Sequence, residues 1–406
     1  MKYLVVLCDG MADEPIGLFN GLTPLQKASC TNMDILAKLG SVGCLQTIPE
    51  GYNAGSEVAN LSILGYGPEH FENGRAVLEA RGMGIKLGNN EIVFRTNLVT
   101  IQDGKMLDFT AGEIESEQAE ELIEYLQANL GSSEIEFICG DSYRNLCRIK
   151  VSDGAKNMVK GIRSFPPHDI IGEPILDYQI VNQNNSENLA KILNELILKS
   201  QNLLEKHPLN IKRSKEGKNI ANSIWLWSEG TMATIPDFSK LHKINNAAVV
   251  AGVDLIRGIG TAAGMEVIKV NGATGSYNTD YEAKVKAAID ALDRVDFVYL
   301  HIEATDAAGH LGDPYLKVKV IEDIDKKVLS PILEYISSNK NIRLALLPDH
   351  PTPCNLKTHT RNPVPFLIYD PQVEGDTVEI FDEESVKNGS YGLLKTEQFI
   401  KIFLND

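Results

Sequence analysis

Lys2–Cys8 (KYLVVLC) is a nearly unbroken apolar run that ends at Asp9-Gly10. A strand with one wet face would alternate polar and apolar residues, so this run predicts a strand covered on both faces, as in parallel sheets. Three similar runs lie far downstream: Phe297–Ile302 (FVYLHI), Arg343–Leu347 (RLALL) and Pro365–Tyr369 (PFLIY). Between them the period changes. Over Tyr281–Leu292 and Tyr315–Ile336 apolar residues recur every three or four positions, which predicts helices. Strands alternating with helices predict an α/β fold, a mostly parallel sheet flanked by helices, shared by the first strand and the last third of the chain.

The middle has another rhythm. Ile92–Ile101, then Gln102-Asp103-Gly104, then Lys105–Phe109 predicts a hairpin. A helix over Glu117–Leu130 and strands at Glu134–Cys139 and Arg144–Val151 follow, with Ser164–Pro174 as a return linker. This pattern predicts a smaller α+β domain inserted at residues 85–175, the main domain being 1–84 with 176–406. Glu187–Lys206 then reads as an amphipathic helix with Leu189, Ile192, Leu193, Leu196 and Leu203 on one face.

Chemistry gathers where strands end. Asp9 follows the first run; Asp306 and His310 follow Phe297–Ile302; Asp349-His350 follows Arg343–Leu347; His359 precedes Pro365–Tyr369. Ligands of open α/β sheets bind beyond the carboxyl ends of the strands, so these segments are expected to open onto one crevice. Carboxylates and imidazoles are ligands of Zn and Mn, and Asp306 with His310 has the i, i+4 spacing of one helix face. Three aspartates and three histidines exceed one four-coordinate ion and suit two. Taken singly, each is more often a cap, loop, core or surface residue than a ligand. Ser56, after Asn53-Ala54-Gly55 and before the helical Val58, Leu61 and Leu64, is expected at a helix N-terminus, where free N–H groups favour an anion. It reads either as a plain cap or as a nucleophile beside a divalent metal. His301, inside a strand, and Trp225 with Trp227, alternating in a strand-like run, read as structural.

Composition narrows the function. The chain has 406 residues and a formal charge of −16, which argues against a nucleic-acid partner. No apolar run reaches membrane-spanning length, and the start carries no signal-like segment, so a cytoplasmic protein is expected. Six cysteines without a C-x-x-C pair read as reduced thiols, with Cys354 a minor nucleophile candidate. Gly258-Ile259-Gly260 with Gly264 lacks the spacing of a dinucleotide loop and Gly272–Ser276 lacks the phosphate-loop lysine, so no nucleotide cofactor is expected.

Together, Asp9-Gly10-Met11, Gly55-Ser56-Glu57-Val58, Asp306-Ala307-Ala308-Gly309-His310, Asp349-His350 and Thr358–Pro365 (THTRNPVP) resemble the cofactor-independent phosphoglycerate mutases, the archaeal-type branch most closely, within the alkaline-phosphatase superfamily. The resemblance implies two divalent metals, Mn before Zn or Mg. Asp306, His310 and His359 would hold one; Asp9, Asp349, His350 and the Ser56 oxygen would hold the other. Ser56 would take the phosphoryl group of 3-phosphoglycerate and return it to the neighbouring hydroxyl. The insertion resembles the family's substrate-binding domain, which closes over the metals, with Arg144, His168 and Asp169 as substrate contacts. A homo-oligomer is possible. One stretch departs: where archaeal-type mutases carry an arginine-rich run around an Ala-Gly pair, this chain has Asp108–Ile114 (DFTAGEI). A homoserine kinase-like phosphotransferase, a metal-dependent phosphatase and a metal-stabilised binding protein are therefore the competing readings.

Overall fold

A computed structural model describes residues 1–152, 154–182, 187–232 and 234–405. They fall into two compact units, Met1–Glu72 with Thr234–Asp406, and Asn73–Ala233.

The first unit is built on an eight-stranded sheet. Its strands are β1 (Lys2–Cys8), β2 (Ser41–Gln46), β3 (Ala247–Val250), β4 (Glu266–Ile268), β5 (Phe297–Ile302), β6 (Ile342–Leu347), β7 (Val364–Tyr369) and β8 (Gly392–Lys395). They lie in the order β4-β3-β5-β1-β6-β7-β2-β8. The α/β expectation holds: all neighbours pair in parallel except β7, which runs against both β6 and β2. Central position explains the continuous apolar runs. Leu4–Cys8 and Phe297–Ile302 are wholly buried between helical layers, where each aliphatic side chain contributes about 1.5–3 kcal/mol.

This topology gathers the site. β1, β5 and β6 are parallel, so Asp9, Asp306 and Asp349 leave from the same edge. Because β7 is reversed, the loop before it, carrying His359, lies at that edge as well. β2, antiparallel to β7, points the same way as β1 and delivers the chain toward Ser56.

Three features of the fold have physical causes. Tyr315–Ile336 is helical as its period predicts, but not uniform: α-helical Pro314–Ile324 passes through a π turn at Asp325–Leu329 into Ser330–Ser338. Pro331 has no N–H to continue the i−4 ladder, and a wider turn absorbs the defect. Gly258-Ile259-Gly260 has a packing role. Gly260 lies in the helix Asp254–Ala262, and a Cβ there would come within 2.3 Å of Val249 Cγ1, so the glycine serves close helix–strand packing. The second unit, finally, is wider than 85–175. Ser223–Thr231 pairs along the long strand Glu91–Gln102, which also pairs with Arg144–Lys150, and the helix Glu187–Leu204 packs against it. Trp225 and Trp227 thereby enter one core with Phe94, Leu122 and Leu193, and a strand remote in sequence carries the boundary out to Ala233.

Candidate active site

Ser56 opens the helix α1 (Ser56–Ile63), with extended Gly55 as its cap and the side chain 5 % exposed. Its Oγ is 3.1 Å from His350 Nε2. Asp306 and His310 lie one turn apart on α2 (Ala304–Leu311), as their spacing predicts, and His310 Nε2 is 3.2 Å from Asp306 Oδ2. His359 Nε2 is 3.3 Å from Asp306 Oδ1 and 2.9 Å from His310 Nε2, and its ring stacks on His350 at 3.9 Å. His350 Nε2 is 3.6 Å from Asp9 Oδ1 and 3.4 Å from Asp349 Oδ2. All seven residues thus converge within the first unit.

The outer ring nitrogens fix the tautomer of each neutral ring. His310 Nδ1 meets the Lys357 carbonyl at 2.9 Å and His359 Nδ1 the Ala54 carbonyl at 3.0 Å. A carbonyl only accepts, so both protons sit on Nδ1. The Thr352 hydroxyl donates its single proton to Asp306 Oδ1 at 2.6 Å, so it accepts from His350 Nδ1 at 3.3 Å. In the neutral rings, three Nε2 lone pairs therefore face inward among three carboxylates. Acceptor against acceptor at 2.9 Å is repulsive unless a cation stands between them, and Asp9 Oδ1 is buried without a hydrogen bond. Burial, then Asp349, Asp306 and Glu303, push the Asp9 carboxyl well above the usual range. Burial also pushes Asp306 upward, but His310 and His359 in their protonated forms outweigh it and hold that carboxyl well below the usual range, and Asp306 in turn raises His310 against its burial. Two overlapping sets, Asp306–His350–His359 and Asp9–Asp349–His350, have ligand atoms within 4.8 Å of one another. The donor set fits metal ions.

Several groups here were assigned no part in the site by the sequence or only a minor one. Asn60, one turn after Ser56, donates to Asp349 Oδ2 at 2.9 Å. His301, read as structural, has Nε2 3.2 Å from Asp9 Oδ2 and Nδ1 3.9 Å from Glu303, and burial lowers it to about 3, so the ring is neutral. A histidine inside an otherwise apolar strand was the available clue. Cys354 is buried and its thiol is pushed up to about 12 by desolvation, so it is no nucleophile at neutral pH.

Arg144, His168 and Asp169 belong to the second unit. Arg144 lies over the Tyr143 ring at 4.4 Å; His168 packs edge-on against Phe109 and Trp227, with Nε2 3.8 Å from Asp169. The same unit holds two arginines unnoticed in the sequence. Arg95 Nε is 2.9 Å from Glu79, which also pairs with Arg75 at 3.0 Å. Burial lowers Arg95 to about 10 against the pull of Glu79, and Arg75 and Arg144 push the same way, so three cations share this region. The Asp108–Ile114 stretch is a turn closed on the Asp108 carboxylate, which accepts from Thr110 N at 2.8 Å, Gly112 N at 2.7 Å and Asn219 Nδ2 at 2.7 Å.

Residues 37–210 match the family model described as 2,3-bisphosphoglycerate-independent phosphoglycerate mutase. A protein of that name from Methanosarcina barkeri is 46% identical over 406 residues, covering all of this chain and 99% of the other. The chain belongs to that family. Its members are enzymes of intramolecular phosphoryl transfer, and this mutase-family chain is one of them. A probable mutase from Geobacter sulfurreducens is 43% identical, covering 98% of each chain. Among solved structures, a protein from Pyrococcus horikoshii superposes with a TM-score of 0.79 at 32% identity (100% of this chain, 96% of that one). The cofactor-independent phosphoglycerate mutase of Thermoplasma acidophilum gives 0.62 at 27% (100% and 99%). No described helix of this family member is long and apolar enough to cross a membrane.

Proposed function

We propose that the chain interconverts 3-phosphoglycerate and 2-phosphoglycerate without added bisphosphoglycerate, in the cytoplasm, and that Ser56 carries the phosphoryl group between two transfers. The observation that carries this reading is the inward-facing trio of Nε2 atoms with Ser56 Oγ 3.1 Å from one of them. Asp306, His310 and His359 would hold one divalent ion, and Asp9, Asp349, His350 and Ser56 Oγ the other, with Mn preferred to Zn or Mg. When bound, such ions favour the ionised serine oxygen and offset charge on the phosphoryl oxygens.

The chain's own residues do the rest. Ser56 Oγ attacks phosphorus, its bond to the C3 oxygen breaks, and that oxygen takes a proton. The C2 hydroxyl then loses a proton and attacks the phosphoserine, breaking the serine–phosphorus bond. The N-terminus of α1 presents N–H groups to the phosphoryl oxygens. Arg144, with Arg75 and Arg95 nearby, supplies the positive field a phosphorylated carboxylate needs, and His168 with Asp169 a proton relay. These arginines support the phosphoglycerate reading although the Asp108–Ile114 turn lacks the family's cations. A second reading, transfer to another acceptor such as homoserine, rests on that turn.

The deciding experiment is a coupled assay with Mn on 3-phosphoglycerate, beside one with homoserine and a phosphoryl donor. Wild type is expected to form 2-phosphoglycerate with little free phosphate, and Ser56→Ala to lose at least about 10³-fold in kcat, since removing the attacking group leaves only binding and field effects. Mutase turnover surviving in Ser56→Ala removes the serine from this role; free phosphate as the main product points to a phosphatase.

A further inference from the structure

The loops after β1 and β6 are joined through one lysine. Lys317 lies on α3 (Pro314–Ile324), on the face of Val320, Ile321 and Ile324, so its spacing places a charge in the core. Its side chain has no exposure. Such burial is tolerable only if all three ammonium protons are used. They are: Nζ donates to Asp13 Oδ2 at 2.8 Å, to the Thr352 carbonyl at 2.8 Å and to the Ala12 carbonyl at 3.1 Å. Asp13 in turn accepts from the N–H groups of Glu14 at 2.8 Å and Cys354 at 3.1 Å, and Thr352 N donates to the Ala12 carbonyl at 3.1 Å. One ammonium therefore fixes the turn that carries Asp9 against the turn that follows Asp349-His350.

The contact runs on into the site. Thr352, held by its carbonyl, has its hydroxyl on Asp306 Oδ1 at 2.6 Å and accepts from His350 Nδ1 at 3.3 Å. The hydroxyl that sets the His350 tautomer thus hangs from the residue Lys317 grips. We propose that Lys317, with Asp13, is a positioning residue for the phosphoryl-transfer centre: it sets the spacing of the Asp9 and Asp349-His350 loops and the orientation of Thr352. It touches neither metal nor substrate.

This inference rests on the metal reading above, and the test separates the two. Mn affinity is measured by titration calorimetry on wild type and on Lys317→Met/Asp13→Asn, a pair that removes both buried charges and so avoids stranding one. Thermal unfolding and steady-state turnover of 3-phosphoglycerate are recorded on the same preparations. The double variant is expected to unfold cooperatively, to bind Mn roughly 10–100-fold more weakly, as loss of outer partners of metal ligands does, and to lose kcat with KM nearly unchanged. A lower melting temperature with wild-type Mn affinity and kcat makes the pair purely structural and overturns the proposal. Wild type that binds no Mn overturns the metal reading instead. Should the double variant not fold, Lys317→Gln, which retains two donors, is expected to shift Mn affinity in the same direction. Failure of both to fold assigns Lys317 to folding alone, which also overturns it.

Discussion

Asn60 offers the sharpest test of how the site is held. Burial, with Asp349 and Asp9 nearby, keeps the Tyr299 phenol protonated, and its hydroxyl donates to Asn60 Oδ1 at 2.6 Å. That bond fixes the amide orientation, so Nδ2 must face the Ser56 carbonyl at 2.8 Å and Asp349 Oδ2 at 2.9 Å. Asn60→Ala removes all three contacts at a wholly buried position. Two neutral hydrogen bonds at about 1 kcal/mol each and one to a carboxylate at about 1.5–3 kcal/mol sum to roughly 3.5–5 kcal/mol. The Tyr299 hydroxyl and one Asp349 oxygen are left unmatched in the interior, so the upper half of that range is expected. Urea unfolding gives the stability loss, and calorimetric titration gives Mn affinity, expected to fall about 10–100-fold because Asp349 loses its orientation. A loss below about 1 kcal/mol with unchanged Mn binding would refute the reasoning.

Two further predictions follow from other residues near the site. Desolvation raises the Glu383 carboxyl to about 7 while it accepts from the Thr23 hydroxyl at 2.7 Å and Asp13 N at 3.1 Å. The folded state then holds this proton more tightly than the unfolded one, whose carboxyl titrates at about 4.3, so stability is lost as pH rises through about 7. Wild type measured against Glu383→Gln by urea midpoint should therefore weaken between pH 5 and pH 7.5, and a pH-independent gap rejects the assignment. Gly10 has φ +64°, and a Cβ there would lie 2.5 Å from Thr352 Oγ1 and 2.7 Å from Asp306 Cα. Gly10→Ala is expected to cost about 2–4 kcal/mol in the same urea assay and most of the activity; a fully active, equally stable variant contradicts the close approach.

Much of this was legible in the chain because fully buried parallel strands leave an unmistakable mark. KYLVVLC and FVYLHI can be placed by composition, and the residues after them follow from the geometry of such sheets. β2 (SVGCLQ) was not legible, since a central glycine and flanking polar residues break the pattern, nor was four-residue β3. The width of the second unit was hidden for another reason. Ser223–Thr231 pairs with a strand over a hundred residues earlier, and periodicity records the face a residue shows, not its partner. Asn60, Thr352 and Tyr299 escaped because neutral polar groups that orient ligands have no spacing of their own. Lys317 did leave a trace: a lysine on the apolar face of a helix must find buried acceptors, and asking where they lie leads to Asp13.

Two aspartates four residues apart show how differently one loop treats a buried carboxylate. Asp13 is given a fully buried lysine and the N–H groups of Glu14 and Cys354, so its charge is neutralised by the chain itself. Asp9, only 1 % exposed, is given neighbours of the opposite kind: Asp349, Asp306 and Glu303 raise its pKa, His301 beside it is neutral, and His350 turns an unprotonated nitrogen toward it. An isolated ionised carboxylate would not be stable there. The Asp13 pair needs nothing from solution; the Asp9 cluster needs a cation, and a proton serves poorly because it satisfies one acceptor among several. A divalent ion satisfies four or more at once. The same contrast explains why Lys317 stands next to the site and not in it. Placed among the imidazoles, its ammonium would cancel the charge that the proposed ions require, whereas on Asp13 it holds the loop and leaves Asp9 unpaired with any lysine.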